Sequence, residues 1–360
     1  AKIVLLTENY RSTKNILAAA NSIIEKNLVR HPKTLVTQHQ TGEKISLITG
    51  LTETDEALAV AQQCAQLLKD GVASAEIAVL YRTNFQSRVL EEAMLKTGLP
   101  YKVVGTRFFE RKEIKDLTAF LKLALNPNDT ASLVRVINVP PRGIGKVSVA
   151  KIVTQQTASL PKAAQGAWQN FQTQLTAIAE SAALLPVSKL IGLTIKITGL
   201  KEYLEHGTED DRDRLANIYE LISVAEKYDG SIGPDAVWQF LTDTAVTAHD
   251  DIQNTVAGDG IQLMTVHAAK GLEFSRVFIT GLEAGLFPHH AHDDDDPEEE
   301  RRLFYVALTR AKHKLYLCYA QSRMLFGSRQ TTLPSEFLLE IDPELFDNKQ
   351  SELMFPDINW

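Results

Sequence analysis

Four stretches of this chain carry residue types able to bind a phosphorylated ligand or a nucleic acid. Ile261 to Phe274, IQLMTVHAAKGLEF, reads as a buried strand in which Ile261, Leu263 and Thr265 alternate with Gln262, Met264 and Val266. A sharp turn through His267 to Gly271 follows. Small residues and a Lys270-Gly271 pair after a strand present backbone N–H groups and one cation at the carboxyl edge of a sheet, where open α/β folds bind ligands. His267 also reads as an ordinary capping or internally satisfied histidine. TENYRST, Thr7 to Thr13, sets Tyr10 and Arg11 on a strand-to-helix turn. An exposed aromatic beside an arginine can stack on a base and reach a phosphate; an N-capping turn with a surface arginine uses the same letters. EEERRLFYVALTRAK, Glu298 to Lys312, offers Arg310, a permanently charged planar donor that lysine cannot copy. It also reads as an amphipathic helix with a salt-bridged face. NVPPRGIGKVSVAKI, Asn138 to Ile152, places Gly143-Ile144-Gly145 between two helices, so that bare N–H groups can approach a DNA phosphate while Arg142 and Lys146 supply charge. A plain helical-hairpin turn is the other reading. The stretch is no GxxxxGK[ST] phosphate loop, because Pro140 stands where its first glycine would be.

These residues need elements to hold them. A first strand over Ile3 to Leu6 is followed by a helix with Ser12 or Thr13 as N-cap and Ile16, Leu17, Ala20, Ile23 and Ile24 at helical spacing. Strands over Ile45 to Thr49, Ile77 to Tyr81 and Tyr101 to Val104 alternate with one helix ending at Gly71 and another over about Gln86 to Lys96. Such alternation implies a parallel sheet with helices on both faces. Tyr81, Arg82, Thr83 and Asn84 then stand at another carboxyl edge. From Gly105 to about Val246 the pattern is all helical, broken at Asn126-Pro127, Pro140-Pro141, Pro161, Pro186, Gly199 and Gly207. The α/β texture returns with Ile261, then strands over Arg276 to Leu282 and Lys314 to Ala320, and one short helix after Pro334. The expected organisation is an α/β domain split into residues 1–104 and 250–360, around an inserted helical domain, 105–249, whose turn at 138–152 has the helix-hairpin-helix pattern.

The bulk properties agree with an ordinary globular chain. Its 360 residues suit two domains, and 44% hydrophobic with 23% charged residues does not call for disorder. No apolar run approaches the roughly 18 to 20 residues of a membrane helix, and no signal-peptide pattern opens the chain. The two cysteines, Cys64 and Cys318, lack metal-ligand spacing and read as small buried hydrophobes in a reducing cytoplasm. No metal ligands are expected. A net charge of −7 argues against nucleic acid until its distribution is considered. Residues 291–300 hold seven carboxylates, which account for the whole imbalance, whereas residues 101–150 hold nine Lys/Arg against four Asp/Glu. Local patches set phosphate binding.

TENYRST, TVHAAKGLEF and EEERRLFYVALTRAK, in this order, closely resemble motifs of the second motor domain of UvrD/PcrA/Rep-type DNA helicases. The resemblance extends over nearly all of the chain, including RKEIKD and the Gly-Ile-Gly hairpin. It implies a RecA-like sheet and a 3′-to-5′ DNA helicase that uses ATP with Mg²⁺, acting on single-stranded and duplex DNA with no membrane partner. It further implies that Arg310 and Arg11 face the γ-phosphoryl group, Tyr10 stacks on adenine, Glu273 accepts a ribose hydroxyl, and Lys270 and Gly271 keep the turn and its charge. Thr265, His267, His289 and the Tyr81 to Asn84 turn would face DNA. No GxxxxGK[ST] and no apolar run ending in Asp-Glu occurs anywhere, so the phosphate cradle and the Mg²⁺ ligands are not in this chain. The chain is thus expected to be the C-terminal part of a helicase, dependent on a missing N-terminal motor domain and inactive alone. A motor-less DNA-binding or docking module is the alternative, and a helicase-nuclease subunit a third.

Overall fold

The computed structural model describes residues 7–29, 34–254, 260–289, 296–325 and 328–347. The expected first strand at Ile3 to Leu6, half of the acidic run, part of the Thr247 to Gly260 linker and the polar tail lie outside these residues. The chain divides into two units: Ala1–Gly105 with Gln253–Arg323 and Arg329–Trp360, and Thr106–Ile252 with Met324–Ser328.

The first unit is built on a seven-stranded sheet of β1 (Ser46–Thr52), β2 (Ile77–Tyr81), β3 (Tyr101–Val103), β4 (Ile261–Thr265), β5 (Phe274–Ile279), β6 (Ala311–Leu325) and β7 (Ser328–Thr331). Its order is β1-β6-β5-β2-β4-β3, with β7 paired to β6, and every pairing along that path is parallel. β2 is buried at every position, as a central parallel strand covered on both faces must be. Alternate residues feed two different cores, because successive side chains of a strand point to opposite faces. Ala78 and Leu80 pack with Ile16, Ala20 and Ile23 of helix α1 (Lys14–Ile24). Ile77, Val79 and Tyr81 pack with Val60, Ala61 and Cys64 of α2 (Glu53–Lys69) and Leu90 and Met94 of α3 (Ser87–Lys96). A Thr52/Asp55 capping box starts α2. Gly71, at φ 86°, ends it by letting Gly71 N and Val72 N donate to Leu68 O and Leu67 O.

The second unit is helical, with α4 (Lys112–Leu125), α5 (Thr130–Val136), α6 (Lys146–Val153), α7 (Lys162–Ala182), α8 (Val187–Ile197), α9 (Leu200–Glu205), α10 (Glu209–Ala225) and α11 (Pro234–Asn254). Pro161 and Pro186 stand immediately before α7 and α8, where a missing N–H costs no helical bond. Two apolar clusters share α4: Ile114, Leu117 and Leu121 join the α8, α10 and α11 side, whereas Phe120 and Leu123 join the α5, α6 and α7 side. The first unit also carries α12 (Pro297–Leu308) and α13 (Glu336–Leu339), whose Phe304 and Phe337 rings stack at 5.2 Å.

β1 ends at Thr52, three residues beyond its expected end, and β3 at Val103, one short of it, while β5 and β6 differ most from their sequence expectation. β5 starts at Phe274, before Arg276, and stops at Ile279 because Gly281 turns the chain at φ 70°. β6 runs well beyond Lys314 to Ala320, since its polar ends Lys312, Gln321 and Ser322 do not break a ladder held by backbone bonds.

A buried ion cluster joins three elements of the first unit. Arg323 of β6 donates through Nη2 to Glu56 Oε2 of α2 and to Glu283 Oε1, both at 2.5 Å, and through Nε to Glu283 Oε2 at 2.9 Å. Gly281 N and Ala320 N fill the remaining acceptor positions of Glu56 and Glu283 at 2.8 and 2.9 Å. Burial pushes the Glu56 carboxyl above its usual range, against the pull of the Arg323 charge. Removing the cation strands two buried carboxylates, so Arg323→Met is expected to lower the free energy of unfolding by about 3–5 kcal/mol, read from urea denaturation; an unchanged midpoint contradicts a stabilising role for the cluster.

Candidate functional site

β4 and β5 both run parallel to β2 and lie on either side of it. The chain leaving β4 at the carboxyl edge must therefore return to the amino edge before β5 starts, and Val266 to Glu273 makes that return. Thr265, paired with Tyr81, stands at the carboxyl edge. Glu273 precedes Phe274, whose N–H donates to Arg310 O at 2.9 Å just before β6. The sequence reading set this whole stretch at the carboxyl edge. Only its first half lies there; letters alone do not distinguish a tight turn from a return crossing.

At the amino edge residues from three sequence-distant segments meet. The Asn9 side chain accepts from Arg11 N and Ser12 N, both at 2.9 Å, which shapes the turn. Ser12 Oγ donates to Ala311 O at 2.7 Å and Thr13 N to Lys312 O at 3.2 Å, which fasten the turn to the start of β6. Thr13 is the N-cap of α1 but its hydroxyl makes no capping bond. Arg11 Nε donates to Glu273 Oε2 at 2.6 Å and its Nη1 to Thr309 O at 3.3 Å. Lys312 Nζ pairs with Glu273 Oε1 at 3.1 Å. Bonds from Arg11 and then Lys312 hold the Glu273 carboxyl below its usual range. Arg310 is fixed by three protein acceptors: Val306 O at 3.0 Å, Leu272 O at 2.9 Å and Thr309 Oγ1 at 3.3 Å. Burial first, then the Arg11 charge, lowers its pKa, yet a guanidinium stays charged. Tyr10, next to Arg11 on the same turn, is 74% exposed, its hydroxyl donating to Glu8 at 2.5 Å. Lys270 and Gly271 are also exposed, and Gly271 takes φ 89°. A rim with three cations and one carboxylate already shared between two of them fits a polyphosphate and does not fit a metal ion.

The carboxyl edge is more closed than the sequence suggested. Tyr81 is buried among the α2 and α3 side chains, and Thr83 is buried in a capping box with Gln86. Gln86 Oε1 accepts from Arg82 N, Thr83 N and Thr83 Oγ1 at 2.9 to 3.1 Å. Arg82 makes a forked pair with Glu300 at 2.8 to 3.1 Å, and His289 N donates to the same carboxylate at 2.9 Å. Arg82 and His289 are thus brought together by Glu300. Asn84 is half-buried at the start of a short 3₁₀ turn, and His267 is exposed.

In the second unit, Asn138 shapes the glycine turn: its Oδ1 accepts from Arg142 N and Ile144 N at 3.3 and 3.2 Å, and its Nδ2 donates to Ile144 O at 2.7 Å. Ile144 is buried, while Gly143, Gly145 and Lys146 are exposed. Gly143 needs its glycine for φ 73°. Gly145 does not: its φ is −66°, and a Cβ there would meet nothing within 4 Å. It also precedes α6 without any side-chain cap. Arg142, expected to supply outward charge, turns inward. Its guanidinium lies 4.9 Å from the Phe171 ring and donates to Val139 O at 2.8 Å, Pro140 O at 3.2 Å and Gln174 Oε1 at 3.2 Å. Burial lowers its pKa to about 10.

Sequence reasoning passed over Lys312, Glu300, Gln86 and Asn138. Thr83 followed by Gln86 is a readable capping box, and Arg310 and Lys312 are two apart where β6 begins, which puts both on one face. Nothing local marks Glu300 within a run of glutamates.

A family model described as UvrD-like helicase C-terminal domain matches residues 4–322. ATP-dependent DNA helicase PcrA of Staphylococcus aureus (strain Mu50) is 41% identical over 374 aligned positions, 98% of this chain and 51% of that protein. PcrA of Staphylococcus epidermidis (strain RP62A) is 41% identical over 97% of the chain and 51% of its own length. The chain therefore spans about half the length of the curated relatives it matches. A solved structure of the C-terminal domain of a possible DNA helicase from Lactobacillus plantarum WCFS1 covers 94% of the chain and 97% of its own, at 12% identity and a TM-score of 0.38, too low to carry a structural conclusion.

The hairpin geometry separates two arginine and lysine roles. Arg142→Gln is expected to cost about 2–4 kcal/mol of stability, because buried acceptors lose their charged donor. Lys146→Glu should stay within about 0.5 kcal/mol, as exposed substitutions do. Chemical denaturation of the two variants checks this, and equal effects would sink the assignment of Arg142 to the interior.

Proposed function

Because the chain belongs to the family of UvrD-like helicase C-terminal domains, we propose that it forms the second motor half of an ATP-dependent 3′-to-5′ DNA helicase. Its amino-edge rim closes over the triphosphate held by an N-terminal motor domain. The observation that carries this reading is the meeting of Arg11, Glu273 and Arg310, from three distant segments, on one edge of one sheet, with the exposed Tyr10 next to Arg11 on its turn.

Each group has a distinct part. Arg310 is pre-oriented by its three acceptors, so little side-chain freedom is lost when it meets charge developing on the γ-phosphoryl oxygens. An arginine supplied in this way is worth about 10³ to 10⁵ in rate. Arg11 is the second phosphate donor. The open Tyr10 ring stacks on adenine, and Glu273 accepts a ribose hydroxyl. Phosphate cradle and Mg²⁺ ligands come from the other motor half, since this chain has no GxxxxGK[ST] and its rim is cationic. Alone, the chain should not hydrolyse ATP.

DNA is held elsewhere. Thr265, His267, Asn84 and the Arg82, Glu300 and His289 group occupy the carboxyl edge, and the Val266 to Glu273 return links that edge to the nucleotide rim. In the second unit, Gly143 to Lys146 offers uncapped N–H groups and one exposed cation to a duplex phosphate. The empty space above Gly145, which internal packing does not require, supports this use.

In the full-length protein, Arg310→Lys is expected to lower the turnover number for ATP by about 10³ or more, while nucleotide binding stays measurable. Unchanged turnover would overturn the motor reading. Duplex binding by the chain, measured by fluorescence anisotropy at low salt, should weaken steeply as salt rises and be lost in Lys146→Glu. Binding indifferent to both would remove the hairpin from the DNA interface.

A further inference from the structure

We propose that Lys312 is the counter-ion that lets Glu273 release Arg11 to an incoming polyphosphate, which makes it a positioning residue for nucleotide binding. This rests on the amino-edge rim being the nucleotide site.

The four charged groups are not equivalently held. Arg310 has three protein acceptors within 3.3 Å and needs nothing from Glu273. Arg11 has one carbonyl at 3.3 Å, and its short bond is to Glu273 Oε2 at 2.6 Å. Arg11 is therefore the arginine that a phosphate can draw away, and Glu273 is what resists. Once Arg11 turns to the phosphates, Glu273 would be left as a bare carboxylate next to a highly negative ligand. Lys312 prevents that. Its Nζ already lies 3.1 Å from Glu273 Oε1, the oxygen Arg11 does not use, so the carboxylate stays neutralised throughout the exchange. The lysine is correctly placed by the fold: Lys312 O accepts from Thr13 N, on the same turn that carries Arg11. The arrangement also reconciles two demands on Glu273, which holds Arg11 before nucleotide arrives and turns to a ribose hydroxyl afterwards.

An exposed ion pair contributes little to folding, so the test reads binding. Inorganic tripolyphosphate is the probe: it has the charge of the nucleotide tail and no ribose, so Glu273 acts on it only through the rim charges. In the full-length protein, its inhibition constant against ATP hydrolysis and the KM for ATP are measured for wild type, Lys312→Gln, Glu273→Gln and the double variant. Lys312→Gln is expected to raise both constants by about three- to fivefold, the upper end of what loss of one partly exposed charge pair implies, with kcat falling less than KM rises and Lys312→Arg restoring both. In the Glu273→Gln background the same lysine substitution should change the inhibition constant by less than about twofold, because Lys312 acts through that carboxylate. An equal loss in both backgrounds means that Lys312 touches phosphate itself, and the inference fails. No loss in either background, with Arg310→Lys still abolishing turnover, leaves Lys312 a surface pair and overturns the inference alone. Should Arg310→Lys also turn over normally, the nucleotide reading beneath it falls too.

Discussion

The parallel pairing of β4 and β5 on opposite sides of β2 is the constraint on which the rest of the first unit depends. Two parallel strands cannot be joined by a tight hairpin, so one short segment must cross from the carboxyl edge back to the amino edge. Val266 to Glu273 does this, and both of its ends carry chemistry. Thr265 and His267 sit at one end and Glu273 at the other. A displacement of this segment is thereby felt at both edges at once, a mechanical link between the two edges built from sheet topology.

The amino edge shows two ways of holding an arginine. Arg310 donates to the last turn of α12 and to the backbone just ahead of β5, groups that move only if the sheet moves. Arg11 lies on a turn fastened by Ser12 and Thr13, but its guanidinium rests mainly on another side chain. A rigid donor suits stabilisation of charge that appears in a transition state, because no reorganisation is needed at that moment. A donor held by an exchangeable partner suits the detection of a ligand. The buried cluster of Arg323, Glu56 and Glu283 is a third arrangement, where every partner is internal and the outcome is a fixed junction of α2, β6 and the turn after β5.

The second unit repeats the contrast between inward and outward charge. Arg142 and Lys146 are close in sequence and both cationic. Arg142 faces the Phe171 ring and the carbonyls of its own turn, and Lys146 faces solvent. The turn is thus cemented from below by one cation while the other stays exposed. Asn138 completes it by bonding both the N–H and the carbonyl of Ile144 through its side-chain amide.

Much of this architecture was legible in the letters. The uninterrupted apolar run of β2, the glycine ending α2 and the prolines before α7 and α8 follow from local backbone physics, which needs no distant partner. Residue types suited to phosphate chemistry were legible too, since only arginine offers that fork and only glycine that bare turn. Pairings were not. Arg11 and Glu273 are 262 residues apart and meet only because the sheet order brings the starts of β5 and β6 against the turn ahead of α1. The edge on which they meet, the inward rotation of Arg142, the burial of Tyr81 and Thr83, and the sharing of Glu273 with Lys312 were likewise decided by tertiary packing. Sequence by itself determined which groups are present and how each short segment folds; three-dimensional structure alone decided which of them face one another. Electrostatic and hydrogen-bonding partners are set by distances in space, and those depend on strand order.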